Sequence, residues 1–213
     1  MTLKPLDRRE TLRYLGGSGV KINAEMERLM DECESQLLES ARPRFIYKTV
    51  ALPYPELTAG EDIRRHLRGC TRAAVLAATL GTEVDRLIRV AQIDDMAKAV
   101  VLDSMAGVAV EQVCDQIDAL IAKKYPDCFL TYRYSPGYGD YPIELQGAFL
   151  RLLDAPRKIG LSLSESCMLI PSKSVTAVIG LSDSPLEQTR RGCAVCSLRE
   201  TCNYRRKGEH CGF

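Results

Sequence analysis

The 213-residue chain contains no tryptophan and only two histidines, His66 and His210. So few imidazoles argue against a His-rich metal centre and against most catalysis that relies on a histidine base. Neither sign of charge is in excess, since 29 Lys and Arg residues oppose 28 Asp and Glu residues. The net charge of +1 provides no field that would mark a nucleic-acid binder, and we expect no nucleic-acid partner.

The sequence also lacks long apolar runs, and nothing in it resembles a secretory leader. The longest apolar run, residues 73–80 (AAVLAATL), is far shorter than the roughly 20 residues that span a bilayer. The first ten residues, MTLKPLDRRE, have no apolar core of the kind that a signal peptide needs. The cysteines number nine, an odd count that does not suit a disulfide framework. We therefore expect a cytoplasmic protein with no membrane partner.

The hydropathy pattern predicts a mixture of helices and strands without regular βαβ alternation. Capping signals predict helices that start near Asp7 and at Thr58 with Glu61, and an apolar stripe of helical period predicts a helix over residues 22–37. The other predicted elements are strands at 45–52 and 73–80, one bent or two separate helices over 82–124, a helix at 143–153, and a strand pair at 166–170 and 174–181. The prediction is an α+β fold with a mostly antiparallel sheet flanked by helices.

The composition changes after residue 182, where a short segment rich in Cys and Arg begins. We therefore expect one domain over residues 1–182, with the helices of residues 1–40 as an extension, and a metal-binding tail over residues 183–213. The tail carries four of the nine cysteines in a C-x2-C-x5-C-x8-C pattern: Cys193, Cys196, Cys202 and Cys211.

Core packing does not explain the four tail cysteines, because their segment has almost no apolar partners. Thiolates at this density select zinc or an iron–sulfur cluster. Zinc ribbons usually pair two C-x2-C knuckles, whereas this tail has one, and the x2/x5 spacing resembles auxiliary iron–sulfur sites. The pattern thus favours a [4Fe–4S]-type cluster over zinc or unliganded redox thiols. Six basic residues against two acidic ones over 190–213 would favour an anionic cluster or an acidic redox partner.

Residues 125–142 form the second informative segment, with five of the nine tyrosines, three prolines and two glycines. They contain the pattern R-x-x-x-G-Y-x-x-x-P over residues 133–142. Arg133 can clamp a carboxylate bidentately, Gly137 permits close approach of the backbone to a ligand, and Tyr138 can act as an aromatic lid. Taken alone, the pattern is equally compatible with small-molecule binding and with a structural tyrosine-rich loop.

The same pattern resembles the signature of the S-adenosylmethionine-binding activation (reactivation) domain of cobalamin-dependent methionine synthase. Residues 163–166 (LSES) and 171–175 (PSKSV) are similar to that domain's L-T-E-S…P-x-x-S-V segment, and the helix around Asp103 and Glu111 is similar to its acid-bearing helix. The resemblance spans roughly residues 70–182. The amino-terminal segments RETLRYLG and RFIYKTV further resemble free-standing versions of the domain, which often carry a cysteine-rich tail.

The resemblance implies a role for individual residues. Arg133 would hold the carboxylate of S-adenosylmethionine, Ser135 would give backbone hydrogen bonds to the adenosyl part, and Tyr138 would cover the ligand next to Gly137. Two acids match positions near the ammonium or sulfonium charge: Glu111 and Asp127. The chain departs from the family pattern after the S-V segment, where Ile179 and Gly180 replace aromatic residues.

The function implied is that of a reactivation subunit, an accessory to a methyltransferase with no acid–base residue of its own. It would support reductive methylation of cob(II)alamin on a separate methionine synthase, and cobalamin would be bound only by that partner. A tail cluster could pass on the electron from a donor such as ferredoxin or flavodoxin. The alternatives are an activator of another corrinoid methyltransferase system and a zinc-stabilised binding module without S-adenosylmethionine chemistry.

Overall fold

A computed structural model of the chain describes residues 2–16, 22–186, 200 and 203–206. The four tail cysteines lie outside these residues. The described helices are α1 (Arg8–Tyr14), α2 (Ala24–Ser40), α3 (Glu61–His66), α4 (Thr82–Asp94), α5 (Met96–Lys124), α6 (Gln146–Leu153), α7 (Ala155–Ile159) and α8 (Asn203–Arg206). The strands are β1 (Arg44–Ala51), β2 (Arg72–Thr79), β3 (Phe129–Leu130), β4 (Ser162–Leu163), β5 (Leu169–Ile170) and β6 (Ser174–Ser182).

The main sheet has the strand order β1-β2-β6-β3, and each neighbouring pair is antiparallel. Its central strand β2 is apolar at every interior position because helices cover both faces of the sheet. Ala74, Leu76 and Ala78 belong to a core shared with α2, α4 and α5. The alternate residues, 73, 75 and 77, belong to a second core shared with α3, α6 and α7. The predicted α+β class with an antiparallel sheet is confirmed.

The two amino-terminal helices are built into the first of these cores. Asp7 begins α1 by accepting hydrogen bonds from the backbone N–H groups of Arg9 and Glu10, as the capping signal predicts. Both α1 and α2 pack on α5. Met30, Cys33 and Leu37 of α2 are fully buried in the shared core. Residues 2–16 and 22–40 are thus part of the main globule.

The region 82–124 forms two helices, since Asp95 ends α4 and begins α5. Its carboxylate accepts a hydrogen bond from the backbone N–H of Lys98 at 3.1 Å. The local break explains why an almost uninterrupted helical pattern does not produce one straight helix.

Two local predictions are wrong. Thr58 does not cap the helix that follows it, because its hydroxyl donates to the Tyr54 carbonyl and α3 begins after Gly60. The strands predicted at 166–170 and 174–181 do not pair with each other. Instead β5 pairs with β4 in a small hairpin, and β6 pairs with β2 and β3.

The five cysteines of the described residues have free thiols and differ in burial. Cys33 and Cys114 are buried, whereas Cys70, Cys128 and Cys167 are partly exposed. Burial raises the pKa of Cys33 and Cys70 to about 11 and that of Cys114 to about 12, so these three thiols stay protonated at neutral pH.

The described part of the chain has neither a membrane-spanning helix nor a cluster of metal ligands. No described helix is both long enough and apolar enough to cross a membrane. Within the same described ranges, no group of three or more His, Cys, Asp or Glu side chains could hold a metal ion.

Candidate functional site

The segment that follows β3 continues along the edge of the sheet beside β6. The Thr131 N–H donates to the Gly180 carbonyl at 3.0 Å, and Tyr134 exchanges two 2.9 Å backbone hydrogen bonds with Val178. Leu130 pairs with Leu181, so this segment has one residue more than β6 over the same stretch. The extra residue is a β-bulge, and it changes which side chains face which side of the sheet.

The bulge directs Arg133 to the α5 side of the sheet. Leu130 packs in the core next to α5, and strict alternation would place Arg133 on the opposite face. Instead the Arg133 guanidinium reaches α5. Tyr132 and Tyr134 face α3, where their rings pack against His66.

Three carboxylates of α5 hold the Arg133 guanidinium. Nη1 donates to Asp118 at 2.5 Å, and Nη2 donates to Glu111 at 2.9 Å and to Asp115 at 3.0 Å. The acids stand at positions i, i+4 and i+7 of one helix and therefore share a face. Only 12% of the Arg133 side chain is exposed, against 47% for Glu111 and 72% for Asp115. A nearly buried cation thus lies beneath partly exposed acids.

The electrostatics of this cluster favour the charged guanidinium. Burial on its own lowers the pKa of Arg133, but the nearby Asp118 and Glu111 carboxylates outweigh burial and raise the pKa above its usual value. Three formal negative charges face one positive charge. The cluster therefore combines one fixed cation, which can bind a carboxylate, with an acidic surplus that attracts a second, cationic group.

The chain after Arg133 forms a compact loop over residues 135–142. Three backbone hydrogen bonds close it: Tyr138 N–H to the Ser135 carbonyl, Gly137 N–H to the Tyr141 carbonyl, and Tyr141 N–H to the Tyr138 carbonyl. Gly137 has a φ of +94°, a left-handed conformation that favours glycine.

Two tyrosines of the loop differ in exposure. Tyr138 leaves 67% of its surface exposed, whereas Tyr141 is buried and donates its hydroxyl proton to the Leu57 carbonyl at 3.0 Å. Tyr141 therefore anchors the loop, and Tyr138 remains available to a ligand.

The structure brings most of the predicted binding residues together. Arg133 contacts Glu111 directly, and Ser135, Gly137 and Tyr138 follow on the adjoining loop. Asp127 lies exposed in the turn between α5 and β3, and it is not among the ion-pair partners of Arg133.

The sequence interpretation missed Asp115 and Asp118 as partners of Arg133. Their i+4 and i+7 spacing from Glu111 places the three acids on one helix face, but the spacing does not show that this face meets Arg133. Asp103, on the same helix, pairs instead with Lys173 at 2.8 Å. Among the described residues, the acids that pair with Arg133 are therefore those of α5 between residues 111 and 118.

The packing of this chain explains why Ile179 and Gly180 stand where the family pattern has aromatic residues. Ile179 is buried in the core on the α5 side. Gly180 faces the other side, where a Cβ atom would lie 2.5 Å from Cys70 Sγ and 3.0 Å from Leu67 Cδ2. An aromatic side chain at residue 180 would not fit, because neighbouring groups already fill that volume.

Comparison with known proteins gives the family of this chain and a solved structure of the same fold. Residues 75–185 match the sequence profile of the family described as vitamin B12 dependent methionine synthase, activation domain. A solved structure described as the MetH reactivation domain bound to AdoHcy superposes with a TM-score of 0.63 at 15% identity, covering 98% of this chain and 89% of that one. Among curated proteins, none matches the chain. More than half of the chain matches the family profile, and the chain belongs to the family of vitamin B12 dependent methionine synthase activation domains.

Proposed function

We propose that this chain binds S-adenosylmethionine and acts as a reactivation subunit for a separate cobalamin-dependent methionine synthase. The observation that carries the proposal is the Arg133 guanidinium, 12% exposed and held by three carboxylates immediately before the glycine–tyrosine loop. Family membership and the fold shared with a domain described as bound to AdoHcy support it.

The charges of the ligand match those of the cluster. S-adenosylmethionine carries a carboxylate, an ammonium group and a sulfonium group. The three ion pairs of Arg133 use N–H groups of Nη1 and Nη2. A guanidinium has five N–H donors, so the remaining ones can donate to a ligand carboxylate. Glu111 and Asp115 are exposed enough to turn toward the ligand's cationic groups. A role for Asp127 beside them rests on the family resemblance alone.

The loop supplies the remaining contacts in this proposal. Backbone groups at Ser135 and Gly137 would bind the adenosyl part, and the exposed ring of Tyr138 would cover it. The chain itself then needs no acid or base, because its residues orient the methyl donor and exclude water from it. Cobalamin on the partner would supply the nucleophilic cobalt, once one electron has reduced it.

The tail is the proposed electron port. Four thiolates within residues 193–211 are a donor set that suits a [4Fe–4S] cluster, with zinc as the alternative. Metal and sulfide analysis of anaerobically purified protein, together with a visible spectrum, tests this part. Iron and sulfide in equal amounts, together with a broad visible absorption band, support the port. Stoichiometric zinc without sulfide would overturn it and leave a structural tail.

The binding proposal predicts that Arg133→Ala weakens S-adenosylmethionine binding by about 10- to 100-fold. The reason is that a charge-assisted hydrogen bond contributes about 1.5–3 kcal/mol. Titration calorimetry measures the change. Arg157→Ala is the matched control, because Arg157 is 79% exposed and pairs with Asp154, the residue before α7, and not with an acid of the Arg133 cluster. Absence of heat from the unaltered protein, both alone and with a corrinoid partner, would refute the proposal.

The identity of the partner needs a separate assay. The assay mixes S-adenosylmethionine and a ferredoxin or flavodoxin donor with a cob(II)alamin-loaded methionine synthase that lacks its own activation domain. Methylcobalamin should form only when this chain is added. Binding of S-adenosylmethionine without rescue of methionine synthase would indicate a different corrinoid methyltransferase as the partner.

A further inference from the structure

Helix α3 contacts the binding segment at both of its ends. The amino end of α3 receives a cap from far along the chain: the Asp140 carboxylate accepts hydrogen bonds from the backbone N–H groups of Glu61 at 2.6 Å and Asp62 at 3.0 Å. These bonds do for α3 what a local Ser, Thr or Asp usually does, because Gly60 at the cap position has no side chain. The backbone hydrogen bonds also hold the pKa of Asp140 below its usual value, so the carboxylate is charged at neutral pH.

Two glycines make this approach feasible. Gly60 has a φ of +128°, and a Cβ atom there would lie 2.8 Å from Asp140 Oδ1. Gly139 has a φ of +56°, and a Cβ atom there would overlap Asp62 Oδ2. The backbone N–H of Asp140 donates in return to Asp62 Oδ2 at 3.4 Å. The loop and the helix thus fit together in a way that any larger residue at either glycine would disturb.

The carboxyl end of α3 holds the start of the same segment. His66 is 5% exposed, and its Nε2 donates to the Tyr132 carbonyl at 2.9 Å. Its ring lies 4.4 Å from the Tyr132 ring and 5.0 Å from the Tyr134 ring, between centroids. Arg133 stands between these two tyrosines, so its backbone position depends on the packing at His66.

We propose that α3 is a clamp that positions the binding segment, and that Asp140 is its positioning residue. The carboxyl end of α3 contacts Tyr132 and Tyr134, which flank Arg133, and its amino end contacts Asp140. The loop residues proposed to bind the ligand lie between Tyr134 and Asp140 in the chain. The inference rests on the proposed function for the identity of the ligand. It goes beyond the family match, which begins at residue 75 and does not include α3.

The clamp predicts that Asp140→Ala loosens the loop and weakens S-adenosylmethionine binding about tenfold, because a smaller fraction of molecules holds the loop in its binding conformation. Asp140→Asn keeps one acceptor oxygen and should weaken binding by about threefold or less. Asp95→Ala removes a comparable cap from α5, some 16 residues from Glu111 in sequence, and should leave affinity unchanged.

Hydrogen exchange provides a readout that needs no ligand. Amide exchange at Gly137, Tyr138 and Tyr141 should be at least about tenfold faster in Asp140→Ala than in Asp95→Ala at equal global stability. Unchanged exchange would refute the clamp whether or not the protein binds S-adenosylmethionine. Faster exchange with unchanged affinity would refute the positioning role. If the unaltered protein fails to bind the ligand, the proposed function fails, and hydrogen exchange still decides whether α3 holds the loop.

Discussion

Two glycines with opposite surroundings show how a single residue can be restricted by its neighbours. At Gly180 of β6 a Cβ atom would meet Cys70 Sγ at 2.5 Å, Leu67 Cδ2 at 3.0 Å and Thr131 Cγ2 at 3.1 Å. At Gly107 of α5 a Cβ atom would meet nothing within 4 Å. Packing requires the first glycine. The second has no packing role, and its main effect is to increase the conformational freedom of the unfolded chain.

These surroundings predict opposite effects of the same substitution. Gly180→Ala should lower the free energy of unfolding by about 1–3 kcal/mol, since the added methyl overpacks a filled site. Gly107→Ala should raise it by about 0.5–1 kcal/mol, the usual gain for alanine in a helix. Urea denaturation of both variants measures the two changes. Equal effects of the two substitutions would show that the packing around Gly180 can relax.

At the scale of the element, local signals predicted helices and strands well when the chain itself supplied the determinants. Asp7 caps α1 through its own neighbours, and the apolar run of β2 is buried as expected. The failures involve distant partners. The cap of α3 comes from Asp140, 79 residues away from Glu61, and no pattern around Thr58 shows it. The strand pair predicted at 166–170 and 174–181 fails likewise, because β6 pairs with β2, which lies far earlier in the chain.

In the candidate site, too, the sequence predicted what nearby residues determine and missed what depends on distant ones. The pattern over residues 133–142 pointed to Arg133, Gly137 and Tyr138, because glycine, arginine and tyrosine each have a specific chemical use in a binding loop. The partners Asp115 and Asp118 follow from the helical spacing only once α5 is known to face Arg133. That juxtaposition results from the bulge after β3, and one extra residue in an edge segment leaves no clear sequence signal.

The packing of α2 on α5 predicts that a single core methionine contributes strongly to the free energy of unfolding. Met30 is fully buried in the core that α2 shares with α5. Met30→Ala should lower the free energy of unfolding by about 2–5 kcal/mol through lost burial and the cavity left behind. Met96→Ala is the matched control: Met96 is 62% exposed, and its loss should cost about 0.5 kcal/mol or less. Chemical denaturation compares them, and a small effect at Met30 would mean that α2 is a loosely attached extension.

At the scale of the whole molecule, the core residues that the structure describes all precede the cysteine-rich segment. The core residues on the α5 side extend from Leu3 to Leu181, and those on the α3 side extend from Ile46 to Val178. Just past the end of β6, the Asp183 carboxylate accepts hydrogen bonds from the side chains of Thr71 and Arg72, at 2.9 Å each. This arrangement supports the proposal of a folding unit that ends near residue 182 and a separate tail.

Truncation after residue 186 is therefore expected to leave the fold and the proposed ligand site intact while removing the proposed electron port. The melting temperature should change by only a few degrees, because no core residue of the described chain is lost. Affinity for S-adenosylmethionine should stay within about twofold, since Arg133 and its acids remain. Reductive methylation with a protein electron donor should fail, and a small-molecule reductant that reaches the cobalt directly should restore it. A truncated chain that unfolds would show that the tail supports the sheet, and one that keeps full activity with the protein donor would show that the electron does not pass through the tail.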